Sequence, residues 1–211
     1  KALADDEDGS AAKVTPEVVH KHLFFFALIW SVGASCNLDG RAKFNNFLRN
    51  LMEGHGHEAF LPSSGSVYGS CLLSDFRNWD WIDWLETIPT FKLDPKTPFG
   101  SILVPTVDTI RYSHLLAMLV NNNKHVLAVG NTGTGKTLAI MDRLLNGMGK
   151  GFETLPMAFS ASTGSNQTQD ILDAKMDKRR KGVFGPAAGT RYIVMVDDLN
   201  MPAREKYFAQ P

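Results

Sequence analysis

Apolar side chains recur along residues 16–53 at spacings of three and four, and this pattern predicts two helices. Thr15-Pro16-Glu17 opens the first: a hydroxyl to accept free N–H groups, a proline suited to the first helical position, and a carboxylate at the positive end of the dipole. This helix is expected from Pro16 to about Ser35, with Val18, His22, Phe25, Phe26, Ile29 and Trp30 near one stripe. It is apolar over most of its circumference and is therefore expected to be buried. Asn37-Leu38-Asp39-Gly40 reads as a turn, and a second helix from Arg41 to Glu53 carries Phe44, Phe47, Leu48 and Leu51. Gly65 to Gly100 shows no clean period and is expected to be mostly irregular, with short strands at best. Trp79, Trp81 and Trp84 fall there at gaps of two and then three, and read as packing residues. Pro89, Pro95 and Pro98 end the stretch and place a boundary near Pro89–Ser101, between a helical segment (1–95) and a second domain (96–211). Lys1 to Lys13, charged and small, reads as a loop or tail.

The texture then changes. Thr109 to Asn121 is predicted helical with Asp108 as N-cap, and Asn121-Asn122-Asn123-Lys124 as a turn. His125 to Val129 is a short apolar run of buried-strand character. A glycine-rich loop from Gly130 to Thr137 leads into a helix from Leu138 to Asn146. Phe152 to Ser160 contains a second strand, Thr168 to Arg180 a helix, and Tyr192 to Val196 a third strand running into Asp197-Asp198. Strand and helix alternate as in a parallel sheet covered by helices, so the fold class is α/β.

Composition narrows the function classes. Apolar residues make up 44% and charged residues 21%, a globular balance. Lys+Arg and Asp+Glu each total 22, and this zero net charge argues against a dedicated nucleic-acid binder. The longest apolar run, Leu23 to Trp30, has eight residues, against the roughly 20 of a membrane span, so no membrane-crossing helix is expected. The first residues do not look like a signal peptide. Two cysteines, Cys36 and Cys71, argue against a disulfide framework and fit a reducing, intracellular setting.

The chemistry lies in Gly130-Asn131-Thr132-Gly133-Thr134-Gly135-Lys136-Thr137, which matches the P-loop pattern G-x-x-x-x-G-K-[ST]. Its glycines let backbone N–H groups wrap a phosphate chain, and the following helix adds its positive end. Lys136 would reach the outer phosphates of ATP or ADP and Thr137 would ligate Mg²⁺. The strand ending in Asp197-Asp198 has Walker-B character: Asp197 is the expected metal-holding group and Asp198 the expected general base. His114 reads as a packed or surface histidine, and Lys178-Arg179-Arg180-Lys181 as the solvated, dipole-complementing end of a helix.

VPTVDTIRYSHLLAMLV, GNTGTGKT, FSASTGSNQTQDIL, KRRKGVFGP and MVDDLNMPAREKYFAQP together resemble a dynein heavy chain, more narrowly the third AAA+ module of an axonemal one. LFFFALIWSVGASCNLDGRAKFNNFLRNLM resembles the helical region that closes the second module. The resemblance covers nearly the whole chain after about Thr15, and the DDLNMPAREKY run is its most specific part. It implies a partial P-loop AAA+ core within a six-module ring that moves on microtubules, in the cytoskeleton of the cytoplasm and the ciliary axoneme. The implied partners are the other modules, dynein light and intermediate chains and microtubules, with no nucleic acid or membrane. The sequence departs from the pattern at Asp198, where strongly hydrolytic sites carry Glu, which implies weak or regulatory hydrolysis. It departs again at Tyr207-Phe208, where axonemal members often carry Tyr-Gly. Because the sequence stops at Pro211, sensor residues and later strands are expected to lie beyond it. The alternatives are a structural wedge whose nucleotide site is never completed, and an unrelated P-loop ATPase or kinase.

Overall fold

In a computed structural model the described residues are 15–74, 79–88, 102 and 104–203. The expected tail, most of the Pro89–Ser101 boundary and the Tyr207-Phe208 departure lie outside them. The chain divides into two compact units, residues 1–97 with 104–111, and 98–103 with 112–211.

In the first unit, helix α1 spans Pro16–Ser31, followed by a 3₁₀ turn at Gly33–Ser35. Pro16 sits at the helix start, but the Thr15 side chain makes no capping hydrogen bond, contrary to expectation. Nor is α1 buried all round: Phe25, Phe26 and Ile29 are inside while Phe24 is 60% exposed. The stretch Pro16–Ser35 is long and apolar enough to cross a membrane by length and composition alone, which corrects the expectation drawn from its longest apolar run. Helix α2, Leu38–Gly54, begins three residues before its predicted start because Asn37 caps it, its Oδ1 accepting the Gly40 N–H at 2.8 Å. Its buried seam is Leu48 and Met52, with Phe44 packed against the core, whereas Phe47 and Leu51 face solvent.

The stretch expected to be mostly irregular, with short strands at best, holds two short strands paired as an antiparallel hairpin, β1 (Ser70–Ser74) and β2 (Trp79–Asp83), and a 3₁₀ turn at Trp84–Thr87. The tryptophan spacing now has a reason. Trp79 and Trp81 share one face of a strand, and Trp84 sits one step later in the turn that follows. Trp81 pairs with Leu72 and donates its indole N–H to the Phe60 carbonyl at 3.1 Å. Trp84 is fully buried, and its ring meets that of Trp30 edge-on at 6.3 Å. One close approach requires glycine: the Tyr68 hydroxyl donates to the Gly33 carbonyl at 2.8 Å, and a Cβ on Gly33 would lie 2.6 Å from that hydroxyl.

Helix α3 spans Val107–Asn121. Thr106, not Asp108, serves as its cap. The Thr109 N–H donates to Thr106 Oγ1 at 3.2 Å and the Thr106 N–H to Thr109 Oγ1 at 2.8 Å, a reciprocal box built from two threonines. His114 on α3 is half-buried, and burial together with the Arg143 charge holds its pKa below the ordinary value.

In the second unit, α4 spans Lys136–Asn146 and β3 Phe152–Ala158. Helix α5 covers only Ser165–Asp173. The rest of the predicted helix is instead an antiparallel hairpin, β4 (Asp177–Arg180) and β5 (Val183–Gly185). Strand β6, Arg191–Asp197, returns parallel to β3. The predicted strand at His125–Val129 is not one: nothing among the described residues pairs with it, and Leu127 and Val129 are 72% and 84% exposed. Apolar composition does not make a strand without a ladder partner. Pro156 lies inside β3, opposite Met195. Phe159 donates to the Asp197 carbonyl at 3.0 Å, and two-residue alternation turns the proline nitrogen to the side away from β6. A proline there marks β3 as an edge, so the sheet can extend only beyond β6.

The two units differ in their packing. The first has a contiguous core of Phe25, Ile29, Leu48, Met52, Leu61, Val67 and Tyr68. In the second, few apolar side chains beyond Ala117, Leu144, Leu155 and Met157 are buried, while Val126, Leu127, Val129 and Leu199 are exposed. All four tryptophans (Trp30, Trp79, Trp81, Trp84) belong to the first unit, so their fluorescence reports on it alone. For the isolated 211-residue polypeptide, we expect a cooperative urea transition by tryptophan fluorescence, and binding of an apolar dye that already begins below that transition, as the loosely packed second unit opens. One sharp transition seen by both probes, without dye binding, would contradict this.

Burial depresses the pKa of His22 on α1, opposed by the Asp80 charge. The unfolded chain therefore binds a proton at higher pH than the folded one. This contribution is intact above about pH 6.5 and is lost as the pH falls through that value toward the depressed folded value. Urea midpoints by tryptophan fluorescence should drop between pH 7.5 and 5.5, and His22→Leu should flatten the drop; an equal pH slope in both proteins would refute the assignment.

Candidate functional site

The site is assembled from one loop and one strand end in the second unit. Gly133 and Gly135 hold φ of 79° and 75°, the left-handed region in which side chains are strained. Gly135 immediately precedes α4, so the loop turns directly into a helix that starts at Lys136, two residues before its predicted start. The free N–H groups of that first turn face the loop's end. A Cβ on Gly130 would meet Lys136 Cδ at 3.3 Å, so the first glycine makes room for the lysine stem.

The Lys136 ammonium is folded back over its own loop. It donates to the Gly130 carbonyl at 2.8 Å, to the Asn131 carbonyl, and to Thr134 Oγ1 at 3.3 Å. Thr134 in turn donates to the Asn131 carbonyl at 2.9 Å. Thr132 is exposed, as are all the loop residues from Gly130 to Gly135. Spacing shows the lysine's reach, but not that the loop's own oxygens collect the ammonium.

Across sixty residues, the Thr137 hydroxyl donates to Asp197 Oδ1 at 3.1 Å. The β3–β6 register fixes this end of β6: Ala158 lies opposite Asp197, and the Phe159 N–H holds the Asp197 carbonyl. The Asp198 N–H donates to the same carboxylate oxygen at 3.1 Å. Asp198 itself has φ of 53°, a left-handed conformation that Asp tolerates better than most residues. Its carbonyl accepts the Met201 N–H at 2.9 Å, and the Ala203 N–H reaches the Ala161 carbonyl at 3.3 Å. The Asp-Asp-Leu-Asn turn is thereby tied to the loop after β3.

Thr137 and Asp197 are therefore in contact, Lys136 sits over the loop, and Asp198 lies exposed just past the strand end. The nearby pair of a hydroxyl and a carboxylate oxygen suits a hard divalent cation such as Mg²⁺. That ion needs only one or two protein oxygens and completes its shell with phosphate and water. Among the described residues no cluster of three or more His, Cys, Asp and Glu could hold a metal by protein groups alone.

Comparison with known proteins gives the family. Residues 91–211 match the family model of the P-loop containing dynein motor region, and residues 2–86 that of the dynein heavy chain AAA lid domain. The chain is 44% identical over 208 residues to dynein axonemal heavy chain 1 of Homo sapiens, covering 89% of this chain and 5% of that protein. It is 45% identical over 202 residues to dynein axonemal heavy chain 12 of Rattus norvegicus, covering 89% and 6%. To the dynein-1-beta heavy chain of the flagellar inner arm I1 complex of Chlamydomonas reinhardtii it is 41% identical over 187 residues, covering 87% and 4%. The chain thus spans only about a twentieth of the length of these relatives. With a P-loop leading into α4, a parallel strand pair ending in Asp197 and a family match over more than half its length, the chain belongs to the dynein heavy-chain motor family and forms part of its AAA+ region.

Proposed function

We propose that this chain is an ATP- or ADP-binding AAA+ module of a ciliary dynein motor, with weak or regulatory hydrolysis. The observation that carries the reading is the Thr137–Asp197 contact beside the Lys136 loop. In this reading residues 1–95 close the preceding module and residues 96–211 open the nucleotide-binding one. The partners are the other modules of the heavy chain, its light and intermediate chains and microtubules, and the setting is the axoneme.

Each residue has a task. Lys136 exchanges neutral carbonyl and hydroxyl oxygens for anionic phosphate oxygens, and such charge-assisted hydrogen bonds are about twice as strong. The N–H groups of Gly133 to Lys136 and the start of α4 take the remaining phosphate charge, and Gly130, Asn131, Thr132 and Thr134 shape the loop. Thr137 and Asp197 orient Mg²⁺, which when bound neutralises developing charge on the phosphates. Asp198 is the general base for water. It is one methylene shorter than Glu, and a misplacement near 1 Å can cost about a hundredfold in rate, which fits slow turnover.

In the intact heavy chain, Lys136→Ala should weaken nucleotide binding at this module at least about tenfold, a loss of ~1.4 kcal/mol. Unchanged affinity would overturn the site. Asp198→Asn should leave affinity within about twofold while slowing hydrolysis here and microtubule gliding, because a base acts in the transition state and not in the ground state. Loss of nucleotide binding in Asp198→Asn, with Asp197→Asn silent, would reverse the two roles. Normal gliding with ATP trapped at this module would show that its nucleotide state gates nothing.

A further inference from the structure

Lys178-Arg179-Arg180-Lys181 reads in sequence as the last turn of a helix, where cations complement the dipole. The structure removes that explanation. Helix α5 ends at Asp173, and the cations occupy β4 and the turn after it. Every residue of β4 is exposed. The register sets Lys178 opposite Phe184 and Arg180 opposite Val183, with a bulge between the two pairs. Phe184 is 61% exposed, so an apolar ring stands beside a cation on a solvent-facing ribbon.

Asp177, which opens β4, is the one carboxylate of the hairpin against its four cations, so the charges are only partly balanced locally. The ion pairs among the described residues are Lys21–Glu17 and Arg111–Asp108, so none of the four cations meets a described carboxylate within 4 Å. Arg179 is committed to the hairpin: it donates to the Pro186 carbonyl and lies against Gly185, where a Cβ would meet its Nε at 3.2 Å. Lys178, Arg180 and Lys181 have no such partner within the described part of the hairpin. A two-stranded ribbon is marginally stable by itself, and clustered like charge lowers that stability further. An exposed aromatic and an arginine are residue types enriched at protein interfaces, and the two lysines beside them suit the charged rim of such a surface, where opposite charges meet.

We propose that the β4–β5 hairpin is a docking finger for an acidic protein segment bearing an apolar side chain. Lys178, Arg180 and Lys181 receive its carboxylates and Phe184 its apolar group. A nucleic acid fits less well. Tight phosphate-backbone binding draws on about six to ten cationic contacts, and this chain has zero net charge and three uncommitted cations here.

The test uses the intact heavy chain, so that variants differ only at the hairpin. The probe is a fluorescein-labelled peptide of ten glutamates around a central leucine, followed by anisotropy at low and high salt. The triple variant Lys178→Glu/Arg180→Glu/Lys181→Glu should weaken binding at least about tenfold and flatten its salt dependence. Phe184→Ser should weaken binding about threefold or more with the salt dependence retained. Because these side chains are exposed, neither change should alter nucleotide affinity at Gly130–Thr137. The proposal fails if the wild-type chain does not bind the peptide, if both variants bind it as the wild type does, or if a 20-base-pair DNA duplex binds through these residues more tightly than the peptide.

Discussion

The candidate site depends on one constraint, the register of the parallel pair β3–β6. Asp197 is the last residue of β6, and its backbone is fixed by the pairing to Ala158 and by the Phe159 N–H. Only that register brings its carboxylate to the Thr137 hydroxyl on the first turn of α4. A slip of one residue would turn every β6 side chain to the opposite face and carry the carboxylate away. The left-handed turn at Asp198 follows from the same end point, since the Asp197 carboxylate also accepts the Asp198 N–H.

The two units place stability and chemistry apart. The first buries a continuous apolar core, knitted by aromatic contacts such as Trp30–Trp84 and by the buried Tyr68–Gly33 hydrogen bond. The second holds the P-loop and the acidic strand end, yet leaves the 125–129 run and Leu199 open to solvent. Under the function proposed above, this exposed apolar surface beside the P-loop is where further parts of the heavy chain would complete the module's order. Pro156 fixes the direction of that completion, because the sheet can grow only on the β6 side.

Much of this was legible in the sequence, for identifiable reasons. The P-loop carries its own geometry: glycines at positive φ, a lysine and a threonine at fixed offsets, and a helix directly behind. The β6 strand was visible as an apolar run ending in Asp197-Asp198. Where tertiary partners decide, local composition does not suffice. The 125–129 run has strand composition but no ladder partner among the described residues. The helix expected over Thr168–Arg180 carries the 178–180 cations as its last turn, whereas Gly182 at φ of 73° folds them into a hairpin with β5. The 65–100 stretch allows short strands, but the pairing of β1 with β2 does not show in the pattern, because the tryptophans straddle a strand and the turn after it. Thr15 does stand at the N-cap of α1, its carbonyl accepting the Val19 N–H at 3.2 Å, but its hydroxyl caps nothing, and the place expected for Asp108 belongs to Thr106.

The central claim is that Thr137 and Asp197 act as one metal-positioning pair. A double-mutant cycle on the intact heavy chain tests it, with Thr137→Val, Asp197→Asn and the double variant compared for Mg²⁺-dependent nucleotide affinity at this module. A shared metal site requires strong coupling, with the double variant losing little more than the worse single variant and an interaction energy of about 1 kcal/mol or more. Additive losses, each side chain acting regardless of the other, would contradict it.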